Sequence, residues 1–443
     1  LIKKIEKISG TIAALSTAKG MAGLAVIRVS GTQAKDIFTK ITKKQPKHMM
    51  AIYSGFYSTE NQEIDNGVAL FFAGPNSYTG EDVCEFSVHG SSAIIEMMLE
   101  RVFSLGARQA QPGEFTKRAY LNDKLDLTQA EAVADLIESA SSKTARAAKR
   151  SLSGEFSSRV NELLGEVTKI RTLVETMLDF SDQDLDETNH PDTLTAATKE
   201  TKQSFQTLIN QTRSGIRVRD GLVVTILGRP NVGKSSLFNE ICGSKRAIVN
   251  SKAGTTRDIV SESITIDGFP VKVLDTAGIR ESEDEVEQEG IKRAIEAGDS
   301  ADMVLEVFDA RDWKREENPS NNILVLNKAD LLREPLELDR KNTHLVSAKN
   351  GEGINGLLDH ISAQFTEVGD DETVITARKR HMQSIKEAYD AFCIAERGII
   401  KNKELDLVAE ELLRAQNSLA EVTGEFTTED LLEAIFNSFC IGK

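Results

Sequence analysis

Residues Gly228-Arg-Pro-Asn-Val-Gly-Lys-Ser235 fit G-x-x-x-x-G-K-[ST], a pattern whose chemistry is phosphate binding. Gly228 and Gly233 allow backbone N–H groups to turn inward around phosphate oxygens. Lys234 is placed to reach the β- and γ-phosphates, and the Ser235 hydroxyl to ligate Mg²⁺. Such a loop needs a strand before it and a helix after it. Leu222–Leu227 is a short β-branched apolar run, as a buried strand should be, and Ser235–Ile241 has helical spacing. The loop residues Asn231, Val232, Gly233, Lys234, Ser235 and Ser236 are therefore candidate nucleotide contacts, with Lys234 and Asn231 as candidate catalytic groups.

Four further motifs follow in order. Asn250, Ser251, Lys252 and Ala253 lead into Gly254-Thr-Thr-Arg-Asp258, where Thr255 and Thr256 stand where a switch threonine belongs. Asp275, Thr276, Ala277 and Gly278 follow the apolar run Val271–Leu274. Asp275 can hold the water shell of Mg²⁺, and the Gly278 N–H can meet the γ-phosphate. Asn327, Lys328 and Asp330 follow the run Ile323–Leu326. A carboxylate at Asp330 can accept both N–H groups of the guanine edge. Adenine has no matching donor pair, which would leave that carboxylate unpaired. Ser347, Ala348 and Lys349 follow Leu345-Val346, and a backbone N–H there can contact guanine O6. Each motif alone reads equally as a strand-end turn. Five in sequence, each at a strand end, specify a GTP-binding domain with a doubly wound sheet.

The catalytic apparatus differs from that of Ras-like switches, in which a glutamine after Asp-x-x-Gly orients the attacking water. Here that position is Ile279. The following stretch, Arg280–Glu289, is crowded with carboxylates, one of which could take that role; the plain alternative is a solvated acidic face. Arg257 and Arg280 read as surface residues as well as they read as arginine fingers. The Asn231 amide could ligate a monovalent cation beside the phosphates, or simply cap the loop.

The chain has 443 residues, enough for about three domains. A net charge of −15 argues against a broad nucleic-acid-coating surface. Cys84, Cys242, Cys393 and Cys440 show no paired spacing, which suits a reducing, cytoplasmic setting. No run of about 18 apolar residues occurs, and the charged segment Leu1–Ser9 does not read as a signal peptide, so no membrane association is expected. Within an N-terminal domain of residues 1–119, residues 11–119 are strand-rich, with β-like runs at Gly23–Val29 and Val68–Phe72. Residues 120–214 are helical, in the stretches Leu127–Arg150, Gly154–Phe180 and Thr193–Arg213. The GTP domain occupies 215–370, and helical spacing resumes over 371–443 through Leu405–Leu419 and Leu431–Phe439. The expected architecture is a multidomain α/β chain, with the GTP domain inserted in a discontinuous helical domain.

Segments outside the GTP domain carry a family resemblance. Gly74–Val83, Pro112–Ala119, Leu121–Ala132, Thr423–Asp430 and Phe439–Lys443 closely resemble the MnmE (TrmE) family of tRNA-modification GTPases, in order along the whole chain. The resemblance implies modification at C5 of the tRNA wobble uridine, carried out with the flavin-dependent partner MnmG (GidA) and a one-carbon unit from a tetrahydrofolate such as the 5-formyl or methylene form. It implies an α+β N-terminal domain that binds this folate and forms a homodimer, and GTP domains that pair across a potassium ion to trigger hydrolysis. By residue, it implies potassium at Asn231, Asn250, Lys252 and Thr255, Mg²⁺ at Ser235 and Thr256, and water orientation by Glu287. It implies a folate pocket at Arg28, Glu85, Lys124 and Lys443, where cations suit the glutamate carboxylates and Glu85 suits the pterin N–H edge. Cys440 matches a cysteine implicated in modification, against the plain alternative of a buried helix-end thiol.

Two segments depart from the family pattern. Ser16–Gly23 replaces a loop usually like Pro-Pro-Gly-Arg-Gly-Gly, which puts folate contacts from that loop in doubt. Lys252 stands where an apolar residue is common, though only its carbonyl is needed there. The competing functions are a ribosome-assembly-type GTPase switch, and a folate-dependent aminomethyl carrier in which GTP only regulates. Tetrahydrofolate binding separates the first of these from the MnmE reading, and dependence of tRNA modification on GTP hydrolysis separates the second.

Overall fold

The computed structural model describes residues 10–179, 191–244, 247–249, 260–275, 301–313, 322–334, 336, 342–366, 374–400, 405–425 and 428–443. These fall into two compact units, each assembled from separate stretches of chain. One comprises Leu1–Ala134, Phe156–Thr198 and Glu387–Lys443; the other comprises Asp135–Glu155 and Lys199–Lys386.

The first unit is built on a six-stranded sheet. Its strands are β1 (Ile12–Leu15), β2 (Ala22–Ser30), β3 (Ile52–Tyr57), β4 (Glu63–Phe72), β5 (Val83–Gly90) and β6 (Arg108–Gln109), in the order β3-β4-β5-β2-β1-β6. Helices α1 (Ala34–Thr42) and α2 (Ser92–Ser104) cover one face, where alternate strand residues such as Ile27, Val29, Ala69 and Phe86 meet Phe38, Ile41 and Met98. This period-two burial is what the β-branched and aromatic runs require of a sheet covered on one side. The short helix α3 (Glu114–Leu121) leads to α4 (Leu127–Glu138). Leu127 and Ala130 of α4 share a core with Leu432, Ile435 and Phe436. These last three belong to α12 (Glu429–Asn437), numbered after the helices that follow.

The stretch Leu127–Arg150, expected as one helical run, is two helices: α4 ends at Glu138 and α5 spans Ser142–Leu152. The break is chemical. Ser141 accepts a hydrogen bond from the Thr144 N–H, and the Thr144 side chain answers to the Ser141 backbone, a reciprocal cap that starts a new helix. Helices α6 (Glu155–Asp179) and α7 (Pro191–Asp220) come next, with α7 running directly up to the GTP domain.

The second unit contains a seven-stranded sheet. In chain order its elements are β7 (Leu222–Gly228), α8 (Lys234–Gly243), β8 (Ala247–Val249), β9 (Val260–Ile266), β10 (Phe269–Asp275), β11 (Met303–Asp309), β12 (Ile323–Asn327), β13 (Thr343–Leu345) and α9 (Ile354–Thr366). The sheet order is β13-β12-β11-β7-β10-β9-β8, parallel from β13 to β10 and antiparallel beyond. Every residue of β12 is buried, as a central parallel strand demands. The chain leaves β7 toward β10 on one side and returns as β11 on the other. The crevice at this switch point, at the carboxyl ends of the strands, is where ligands bind in open α/β sheets. The remaining helices are α10 (Lys379–Ile400), α11 (Leu405–Thr423) and α12 (Glu429–Asn437). Among the described residues no helix is long and apolar enough to cross a membrane.

Candidate functional site

The phosphate loop occupies the switch point. It leaves β7 through Gly228 and turns at Asn231, whose φ is 64°. It then enters α8 at Gly233, the residue before its first turn. Gly233 has φ 94°, and a Cβ there would lie 2.4 Å from Asn327 Nδ2, so both backbone and space require glycine. The first turn of α8 thus opens at the switch point, where the helix dipole favours an anion. The exposed hydroxyl of Ser235 sits in the same turn. Lys234 Nζ donates to the carbonyls of Gly228 (2.7 Å) and Arg229 (3.0 Å), spanning the mouth of the loop where phosphates would replace those carbonyls.

The guanine side is fastened to the phosphate side by Asn327. Its buried amide donates to Val232 O (3.0 Å), and its carbonyl accepts from the Ala348 N–H (3.0 Å). One side chain thus ties the phosphate loop to the Ser347–Lys349 segment. Ser347 Oγ donates to Asp330 Oδ1 at 2.7 Å, which fixes the plane of that carboxylate. Lys328 Nζ donates to Asn231 O (2.6 Å) and to Asp309 Oδ2 (2.8 Å). Asp309, at the end of β11, escaped the sequence reading. Hydrogen bonds from Arg311, then from Lys328, hold its carboxyl well below the ordinary carboxylate range against the opposing effect of burial. Its signal was positional: an acid closing an alternating strand beside the switch point.

Asn231, Val232, Gly233, Lys234, Ser235, Ser236, Asp275, Asn327, Lys328, Asp330 and Ser347–Lys349 thus lie at or beside one sheet edge. Asn250 through Thr256, Thr276 through Gly278 and Glu287 lie outside the described residues.

The second candidate site is in the unit with the six-stranded sheet. Arg28 on β2 and Glu85 on β5 are cross-strand partners, and Arg28 Nε donates to Glu85 Oε1 at 2.8 Å. The Arg28 guanidinium lies 5.5 Å from the Tyr78 ring and 5.7 Å from the Phe115 ring, an aromatic flank the sequence reading did not name. Residues 440–443 pack beside it. The Phe115 N–H donates to Lys443 O (3.2 Å), and Ser16 Oγ donates to Gly442 O (3.1 Å). Burial, and then the neighbouring Arg28 charge, push the Lys443 amine below its ordinary range. Lys124 Nζ donates to Pro75 O at 3.1 Å, on the loop that carries Tyr78. Cys440 is exposed and lies beyond the last helix, so the buried helix-end alternative does not hold. In the departing loop, Thr17 Oγ1 accepts from the Val26 N–H (3.3 Å), while Met21 is fully exposed.

Residues 127–440 match the family model "MnmE helical domain", and residues 11–124 match "GTP-binding protein TrmE N-terminus". A tRNA modification GTPase MnmE of Pseudomonas fluorescens is 43% identical over 451 residues, covering 98% of this chain and 99% of the relative. The MnmE of Hydrogenovibrio crunogenus is likewise 43% identical, covering 98% of each chain. The chain belongs to the MnmE family of tRNA modification GTPases. It is a GTP hydrolase acting in tRNA modification, and its N-terminal, helical and P-loop GTPase parts make a multidomain α/β protein. Among solved structures, Aquifex aeolicus Era bound to GDP·AlF4⁻ matches 38% of this chain and 66% of its own, at 25% identity and a TM-score of 0.26.

Proposed function

We propose that this member of the MnmE family is a potassium-stimulated GTPase that modifies C5 of the tRNA wobble uridine. With the flavoprotein MnmG (GidA) it installs an aminomethyl or carboxymethylaminomethyl group, using a one-carbon unit from a tetrahydrofolate, in the cytoplasm. The observation that carries the folate part is the convergence of Arg28, Glu85 and Lys443 from distant parts of the sequence onto one aromatic-flanked surface. Arg28 and Lys443 suit the glutamyl carboxylates of the carrier, and Glu85 suits the N–H edge of its pterin. Lys124 braces the Tyr78 loop in this arrangement. The N-terminal domain is then a folate-binding and dimerisation domain, and the exposed Cys440 thiol lies close by for a part in modification.

In the GTPase half, Ser235 and Thr256 hold Mg²⁺, while Asn231, Asn250, Lys252 and Thr255 hold potassium. Lys328 takes the Asn231 main-chain oxygen, which leaves the side-chain amide as a separate group for a cation. A monovalent cation beside the phosphates supplies positive charge where hydrolysis builds negative charge. Glu287 orients the water that Ile279 cannot; pairing of the GTP domains across potassium triggers hydrolysis, and hydrolysis drives a conformational change.

GTP turnover in potassium against sodium at equal ionic strength tests this half. Potassium is expected to raise the rate on the order of 10-fold or more, and Asn231→Ala and Asn231→Lys to abolish the difference. Equal rates in both salts would remove the potassium site and leave Glu287 without its partner.

Titration with a tetrahydrofolate tests the other half, and its pH dependence is informative. Because the Lys443 amine is held below its ordinary range, it loses its charge at lower pH than a free lysine. Folate affinity is therefore level through neutral pH and falls as pH rises through the lowered pKa, with a proton taken up on binding in that region. Lys443→Arg, which stays charged, should flatten the profile. An unchanged alkaline slope in that variant means that Lys443 does not hold the carboxylates.

A further inference from the structure

Strands β9 and β10 form a hairpin that joins, in sequence, the Thr255-Thr256 segment to Asp275 and Gly278. At its open end Val260 pairs with Asp275, and at its tip Ile266 pairs with Phe269 around Asp267-Gly268. The tip lies against the start of α5. Ser141 Oγ, already the cap of that helix, donates to Gly268 O. The Lys143 methylenes lie over Gly268, and its ammonium stands 4.4 Å from the Phe269 ring centroid. Phe269 in turn stacks on Phe365 of α9 at 4.3 Å and 5°.

A second set of contacts fixes the base of the inserted domain to the same α4–α5 segment. Asp135 Oδ1 accepts from Arg219 Nε (2.8 Å) and from Arg378 Nη2 (2.8 Å). Arg219 closes the segment leading into β7, and Arg378 lies on the segment leading out after α9. Ser151 Oγ donates to Thr376 O (3.0 Å) and accepts from the Thr376 N–H (2.9 Å). Both joins are thus held by buried polar groups that are costly to leave unpaired. Between these joins and the hairpin tip lies a cavity of about 220 Å³, bounded by Asp135, Ser141, Thr144, Thr265, Pro270 and Thr376.

We infer that Ser141 and Lys143 are positioning residues that read the nucleotide state from the tip of this hairpin. The six residue steps from Asp275 to Phe269 carry the tip roughly 20 Å from the Mg²⁺ end of the hairpin. With both joins pinned at Asp135 and Ser151, a shift of the hairpin along its axis is not absorbed there. It is delivered to the Ser141 cap and the Lys143 side chain, with the cavity giving the tip room to move. From α5 the displacement continues by covalent connection into α4 and α6, whose larger parts belong to the other unit. The coupling rests on the GTPase identity and is independent of the folate and potassium readings.

Hydrogen–deuterium exchange on the full chain, loaded with GDP or with a non-hydrolysable GTP analogue, tests it. In the wild type, amides of residues 142–152 should differ in exchange rate by about threefold or more between the two states. Lys143→Met and Ser141→Ala should each erase that difference while GTP turnover stays within about twofold of wild type, and Ser141→Thr, which keeps a capping hydroxyl, should restore it. Lys143→Met leaves the cap intact, so its result holds even where Ser141→Ala loosens α5. A wild-type segment indifferent to nucleotide overturns the inference, as does a difference that survives in both Lys143→Met and Ser141→Ala.

Discussion

Asp330→Asn is expected to move the preferred base from guanine to xanthine. Ser347 Oγ holds Asp330 Oδ1 at 2.7 Å, so the carboxylate is presented in a fixed orientation before any base arrives. Guanine meets a carboxylate with two N–H donors. An asparagine offers one acceptor and one donor, which leaves one guanine N–H facing another N–H. Xanthine carries a carbonyl oxygen in place of the exocyclic amine and matches the amide instead. Sites that hydrogen-bond a substrate group discriminate by desolvation of unpaired partners, so kcat/KM for GTP should fall on the order of 10³-fold. The value for XTP should rise above that for GTP. Steady-state rates with the two nucleotides measure this, and a variant that still prefers GTP would show that Asp330 does not read the base.

Gly233→Ala should cripple nucleotide binding from both sides at once. The added methyl would stand 2.4 Å from Asn327 Nδ2 at a backbone φ of 94°. The backbone strain alone is about 1–3 kcal/mol. Relief by moving Asn327 gives up its bond to Val232 O and weakens the one from Ala348 N–H, so the phosphate loop and the guanine side separate together. GTP affinity is expected to fall on the order of 10²-fold or more, with a lower melting temperature. Calorimetric titration with GDP reports the loss, and wild-type affinity in this variant sinks the claim that glycine is required.

The readable and unreadable parts of this molecule divide by sequence distance. The phosphate loop, Asp275, Asn327, Asp330 and Ser347 were legible because each motif is local and sits at the end of an apolar run; the sheet then brings strand ends together by topology alone. The strand runs at Gly23–Val29 and Val68–Phe72 fall within β2 and β4 for the same reason. The break between α4 and α5 was missed because its apolar spacing is continuous, while the Ser141–Thr144 cap depends on two small side chains. Arg28, Glu85 and Lys443 could not be joined by spacing, since their partnership rests on cross-strand register and on the docking of residues 440–443. Family resemblance named them, and the structure adds Tyr78 and Phe115 beside Arg28. Asp309 and Asp135 were passed over because an isolated acid carries no signal until its cationic partners are folded against it.

Gly442 packs so closely on β1 that a Cβ there would lie 2.2 Å from Leu15 O, and its carbonyl receives Ser16 Oγ across a sequence separation of 426. A ribosome making this chain finishes the six-stranded sheet long before it delivers that segment. At about 5–20 residues per second, the roughly 330 residues between β6 and that segment take roughly 15–70 s. Throughout that time the Arg28–Glu85 pair, on two inner strands of the sheet, lacks Lys443 as a neighbour. Nascent chains therefore display this face of the sheet before residues 440–443 dock beside it.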